Sequence, residues 1–221
     1  MKKGLTEMVF ILDRSGSMSG LESDTIGGFN SMIETQKKEP GEAVVSTVLF
    51  SDSSTVIHDR KDIQKVEKLT GEQYRVCGST ALIDAIGDAI HHIRNVHKYA
   101  REEDRPEHTV FCITTDGMEN SSFRYSSDEV KKMIEDRKEK YGWEFIFVGA
   151  NIDAVETAKH FGIDEDHSVN YVHDEAGTAL NYAAQSRAVS GIRSGMAVQE
   201  SGWKDEVEED YRRREKGKGM K

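Results

Sequence analysis

Three short stretches of the sequence concentrate carboxylate and hydroxyl side chains: Asp13-Arg14-Ser15-Gly16-Ser17, Gly78-Ser79-Thr80 and Thr115-Asp116-Gly117. Asp13 directly follows the apolar run Met8–Leu12. That placement invites comparison with Mg²⁺-dependent phosphohydrolases, which use a strand-end aspartate as nucleophile. Those enzymes repeat the acid two positions on; here Ser15 stands there, and the general acid such a mechanism needs is missing. No phosphate loop of the GxxxxGK[ST] type is present. His91, His92, His97 and His108 lie on or near one helix without a nucleophile elbow beside them. The parts of a nucleophile–base pair are absent, so the sequence reads as non-enzymatic. Asp88 and His92, four apart on one helical face, raise the possibility of a metal pair, but the same spacing suits an ordinary solvated ion pair, and that reading is preferred.

The elements that must position these residues are legible from their periods. Met8–Leu12 is a short continuous apolar run, the pattern of a strand buried on both faces; Val110–Thr114 reads as another buried strand, and Ala43–Phe50 and Trp143–Val148 as further strands. Between them lie helical patterns. Ile26, Phe29 and Ile33 mark one over Leu21–Gln36, and Leu82, Ile83, Ile86, Ile90, Ile93 and Val96 mark the clearest, from Thr80 to about Ala100. Asp84, Asp88, His92 and Asn95 fall on its polar side. Ser127–Tyr141 and Asp153–Phe161 are further helices, the second stopped at Gly162. Ser168–Tyr171 is a weak last strand, and Glu175 to about Val198 a final helix weakened by Gly191 and Gly195. Thr55–His58 follows Ala43–Phe50 across the turn Ser51–Ser54, as a hairpin partner. In the polar stretch Asp59–Arg75, Ile63, Val66 and Leu69 allow one short amphipathic turn. Strand–helix alternation predicts a doubly wound α/β fold with a mostly parallel central sheet and one antiparallel edge strand.

Composition bounds the rest. The 221 residues suffice for one large domain with a real core, and the formal net charge of −10 disfavours nucleic acid and membrane as partners. Cys77 and Cys112 lie in different elements outside any CxxC pattern, which predicts reduced, partly buried thiols. Met8–Leu12 is too short for a signal-peptide core and no run approaches a membrane span, so a cytoplasmic location is expected. From about Trp203 the chain turns acidic and then basic; the expected division is one domain over 1–200 and a charged, flexible tail over 201–221.

Taken together, the three loops closely resemble the metal-ion-dependent adhesion site of von Willebrand factor A domains. That family's DxSxS motif, second-loop Thr and third-loop Asp match Asp13, Ser15, Ser17, Thr80 and Asp116, in order and each beside the expected element. The resemblance covers about Thr6 to Val198 and implies a Rossmann-like fold of that family. It also implies one divalent metal at these five residues, with the Ser15, Ser17 and Thr80 hydroxyls as direct ligands and Asp13 and Asp116 held mainly through water. All are oxygens, which suits Mg²⁺ first and Mn²⁺ or Ca²⁺ as alternatives. The implied function is a protein-binding module whose metal captures an exposed Asp or Glu of a partner. The small stand-alone members it resembles are bacterial or phage-associated and work beside separate ATPase chains. Gly16 and Gly117 allow the tight turns. Glu119 and Asn120 could lie on the rim, though plain loop solvation is the simpler reading. A further alternative is that acidic residues beyond the last helix (Glu200, Glu206, Glu208, Glu209) occupy the site of this chain or a neighbour.

Overall fold

The computed structural model describes residues 1–218, with side chains described through Arg214. Six strands form one sheet: β1 (Lys2–Asp13), β2 (Glu42–Phe50), β3 (Ser54–Asp62), β4 (Pro106–Thr115), β5 (Glu144–Gly149) and β6 (Ser168–Asn170), in the order β3-β2-β1-β4-β5-β6. All neighbours are parallel except β2 and β3, which form the expected antiparallel edge. The helices are α1 (Glu22–Gln36), α2 (Leu82–Tyr99), α3 (Ser127–Tyr141), α4 (Ala154–His160), α5 (Glu175–Arg193) and α6 (Asp205–Lys218).

The central strands are apolar on both faces because both are covered. Along β1, Met8, Phe10 and Leu12 face the layer of α1 and α5, against Phe29, Met32, Ile33, Val189 and Ile192. Val9 and Ile11 face the opposite layer with Leu82, Ile86, Ile90 and Ile93 of α2 and Val130 and Ile134 of α3. Ile63, Val66 and Leu69 are buried, as the amphipathic turn requires. The chain order reverses direction of growth between β1 and β4, so the crevice beyond their carboxyl ends is the place where open α/β sheets bind ligands. Asp13 ends β1, and Asp116 follows β4 directly.

Four expectations need correction. The run read as a charged tail folds back onto the core. Trp203 and Val207 are buried with α5 residues, and the Trp203 indole donates to the Asp166 carbonyl at 3.0 Å. Trp203, Val207 and Tyr211 repeat at one-turn spacing, too few anchors to stand out among thirteen charged neighbours' worth of acid and base, yet Arg214 adds an ion pair to Asp174 ahead of α5. The last part of that tail, residues 219–221, lies outside the described residues. The helix expected to end near Val198, α5, stops at Arg193, because Gly195 takes a left-handed conformation (φ 77°) that breaks it. Cys77 is exposed rather than partly buried, whereas Cys112 is buried in β4, where desolvation pushes its thiol up. Asp84, placed on the polar side of α2, is buried, since the 122–125 segment covers it.

Candidate metal centre

Each residue of the site is fixed by backbone contacts among the three loops. Arg14 N donates to Phe50 O (2.8 Å), Cys77 N to Arg14 O (2.9 Å) and Gly16 N to Gly78 O (3.0 Å), which ties the first loop to the second. Tyr74 is buried beneath them and its hydroxyl donates to the Asp13 carbonyl. Gly78 is obligatory: it has φ 75°, and a Cβ there would collide with the Asp52 carboxylate, which accepts from Ser79 N at 2.6 Å.

The third loop clamps the second. Asn120 N donates to Thr80 O (3.1 Å) while Thr80 N donates to Asn120 Oδ1 (2.9 Å). Glu119 accepts from Ile83 N in the first turn of α2 (2.9 Å) and from Ser121 N and Ser122 N. These two residues, read as rim or solvated loop, hold Thr80 in place instead. Asp84 accepts from Phe123, Arg124 and Tyr125 N at 3.1, 3.0 and 3.0 Å. Burial pushes its carboxyl up, but those backbone donors, with Arg124 beside them, outweigh it and hold it below the usual carboxylate range. No helical periodicity announces this role; Asp84 simply shares a stripe with Asp88. Asp88 pairs with Arg124 (2.6 Å) and His92 with Asp59 (2.8 Å), so the two do not form a metal pair.

The five predicted residues come together. Asp13 is 1% exposed, with Oδ1 accepting from Ser15 N (2.7 Å) and Oδ2 from the Thr115 hydroxyl (2.6 Å). Burial pushes its carboxyl above the ordinary range, helped by the charge of Asp116 and opposed by the Ser15 and Thr115 hydrogen bonds. Ser15 and Ser17 hydroxyls are 3.0 Å apart, and Ser17 donates to Asp116 Oδ1 at 2.6 Å. The point where a Gly117 Cβ would stand lies 3.0 Å from Thr80 Oγ1, 3.1 Å from Ser17 Oγ and 3.8 Å from Ser15 Oγ. Three hydroxyls from two loops therefore converge on one small volume, which opens to solvent at Gly16 and Ser17. Met18 is buried behind it.

This donor set fits a hard divalent cation. It offers neutral hydroxyls and two carboxylates, and Asp116 Oδ2 is buried without a hydrogen-bond partner. Among the described residues no three His, Cys, Asp or Glu side chains converge as a metal-holding group, so a cation here depends on the hydroxyls. Sequence reasoning missed one residue at the centre: His173, after β6, with Nε2 2.8 Å from Asp116 Oδ2. The only signal for it is that β6 is parallel to β1 and β4, so its following loop emerges at the same edge.

A six-stranded sheet with one antiparallel edge, helices on both faces and a carboxylate–hydroxyl crevice at its switch point is the von Willebrand factor A fold, and this chain has it. Solved structures bear out the architecture. The von Willebrand factor type A protein of Catenulispora acidiphila superposes with TM-score 0.58 at 16% identity, over 84% of this chain and 42% of that one. Manganese-loaded TRAP protein of Plasmodium vivax gives 0.56 at 15%, over 81% and 73%. Proximal thread matrix protein 1 of the mussel byssus, with a zinc-occupied MIDAS motif, gives 0.58 at 16%, over 85% and 46%. The chain thus spans less than half of the bacterial and mussel proteins it matches. No protein-family model and no curated protein matches the sequence.

Proposed function

We propose that the chain is a divalent-metal-dependent protein-binding module that captures an acidic side chain of a partner. The observation that carries this reading is the convergence of the Ser15, Ser17 and Thr80 hydroxyls beside Asp116 at the sheet's switch point. Mg²⁺, Mn²⁺ or Ca²⁺ bound there would supply an electrophilic centre with a coordination position for a partner's carboxylate oxygen. The protein's part is positional. Ser15, Ser17 and Thr80 present neutral oxygens, so little anionic charge is spent on the cation directly. Asp13 is turned into its own loop by Ser15 and Thr115 and contributes its charge from behind. That locked, buried carboxylate is also poorly placed as a nucleophile, which favours binding over phosphoryl hydrolysis. The loop that carries Asp116 exposes Met118 (75%) and Phe123 (82%), apolar surface that suits a protein partner.

Two of the acidic residues that could occupy the site, Glu206 and Glu208, are engaged elsewhere. Glu206 pairs with Arg187, Glu208 with Lys204, and Asp210 with Arg213 and Arg214. Among the described residues no helix is long and apolar enough to cross a membrane. A cytoplasmic setting beside a separate ATPase chain is part of the proposal, carried by the family resemblance alone. The test is calorimetric titration of Mg²⁺ and Mn²⁺ into metal-free wild type, Asp13→Ala and Thr80→Ala, with and without a short Glu-containing peptide. Binding that the peptide strengthens and both substitutions abolish is expected; equal binding in all three proteins refutes the reading.

A further inference from the structure

His173 and Asp116 meet at ion-pair distance without the alignment of a hydrogen bond. Nε2 and Oδ2 are 2.8 Å apart, both atoms are buried, and neither has an aligned hydrogen-bond partner. The backbone that carries the imidazole is held in place. Asp174, the next residue, caps α5 by accepting from Gly177 N (2.8 Å), its own N donates to Val172 O (2.9 Å), and Arg214 of α6 pairs with its carboxylate. Gly177 packs so closely under Val172 O that any Cβ would collide with it.

Two buried polar atoms left without an aligned hydrogen bond are costly, and a metal cation beside both would satisfy them together. Two ligands at right angles on a metal, each about 2.1 Å from it, stand about 3.0 Å apart. The His173–Asp116 distance has that size.

We propose that His173 is a nitrogen ligand of the cation at this site, beside Asp116, and that it shifts the site's preference from Mg²⁺ toward Zn²⁺ and Co²⁺. The inference rests on the metal-binding reading above and adds to it a residue outside the five-position motif. Hydroxyls and carboxylates alone suit Mg²⁺, which demands near-ideal octahedral oxygen coordination, whereas one imidazole favours the later transition metals. The residue acts through selectivity, so wild-type Mg²⁺ binding alone does not report it.

The experiment uses the full chain and the metals alone. Zn²⁺, Co²⁺ and Mg²⁺ are titrated into wild type, His173→Ala, His173→Asn and Thr80→Ala. Pulsed electron paramagnetic resonance on the Mn²⁺-loaded proteins then looks for imidazole ¹⁴N modulation. The expected result is about a tenfold or larger fall in Zn²⁺ affinity in both His173 variants with Mg²⁺ affinity changed less than about threefold. The nitrogen signal should be present in wild type and absent in His173→Asn. Because the wild-type spectrum needs no variant to fold, absence of the nitrogen signal there overturns the proposal directly. So does a signal that survives His173→Asn, or a Zn²⁺-to-Mg²⁺ ratio that the variants leave unchanged. If those results come with binding still abolished in Thr80→Ala, the metal-dependent module stands and only His173's role falls. Metal binding indifferent to Thr80→Ala removes both.

Discussion

Replacing Gly117 with alanine should separate metal binding from folding. Gly117 is not among the glycines with positive φ, so alanine can adopt its backbone conformation. The added methyl would lie 3.0 Å from Thr80 Oγ1 and 3.1 Å from Ser17 Oγ, closer than comfortable carbon–oxygen contact by a few tenths of an ångström, and 3.8 Å from Ser15 Oγ. Two hydroxyls must therefore back away. Reduced unfolded-state entropy from Gly→Ala contributes about 0.4–1 kcal/mol of stability, which offsets much of that crowding. The net change in unfolding free energy should stay within about 1 kcal/mol. A cation, in contrast, needs its oxygens at about 2.1 Å in fixed directions. Displaced hydroxyls and a methyl at the mouth should weaken Mg²⁺ or Mn²⁺ binding by about 10–100-fold, or about 1.4–2.7 kcal/mol. Urea unfolding of the metal-free protein and calorimetric metal titration measure the two quantities separately. A folded Gly117→Ala protein whose metal affinity lies within threefold of wild type would refute the claim that these hydroxyls cradle the cation.

Asp84→Ala removes the acceptor for three backbone N–H groups at 3.0–3.1 Å in a partly wet loop; a loss of about 2–4 kcal/mol is expected by urea unfolding. Asp84→Asn should lose roughly half of that, because Oδ1 alone accepts from Arg124 and Tyr125 N. Equal stability of all three proteins would show that the 122–125 segment does not depend on this carboxylate. His58, buried on β3 with Nδ1 3.1 Å from Thr47 Oγ1, is held below its ordinary pKa of 6.5, first by desolvation and then by the charge of Lys61. With the folded value depressed, its contribution is complete above pH 6.5 and is lost as pH falls through the window below it. Thermal melts of wild type and His58→Gln at pH 7.5 and 5.5 should therefore show the shallower pH dependence in the variant; parallel shifts in the two would contradict this.

Much of the molecule is local information. Runs such as Met8–Leu12 and Val110–Thr114 have only one comfortable solution, a strand covered on both faces, and the stripe from Leu82 to Val96 has only one period. Asp13, Ser15, Ser17, Thr80 and Asp116 could be picked out because each sits at a strand end or helix start, the places where such a sheet exposes its loops. The structure brings those five side chains to one edge of the sheet.

What the tertiary structure alone decided are pairings between residues far apart in the chain. Nothing local distinguishes Asp84 from Asp88, yet one is buried under backbone donors 39–41 positions away and the other pairs with Arg124 nearer solvent. Glu119 and Asn120 read as loop polarity until Thr80 and Ile83 are seen beside them. Glu7 looks misplaced in an apolar strand until Arg60 and His97 close on its two oxygens at 2.7 and 2.6 Å. Trp203 gains its meaning only from the core cluster it joins and the Asp166 carbonyl it meets, and His173 only from its meeting with Asp116. Periodicity reports which way a side chain points along its own element. Which partner waits there is set by how the elements dock, and in this protein that docking assembles the clamp on Thr80 and the nitrogen beside Asp116.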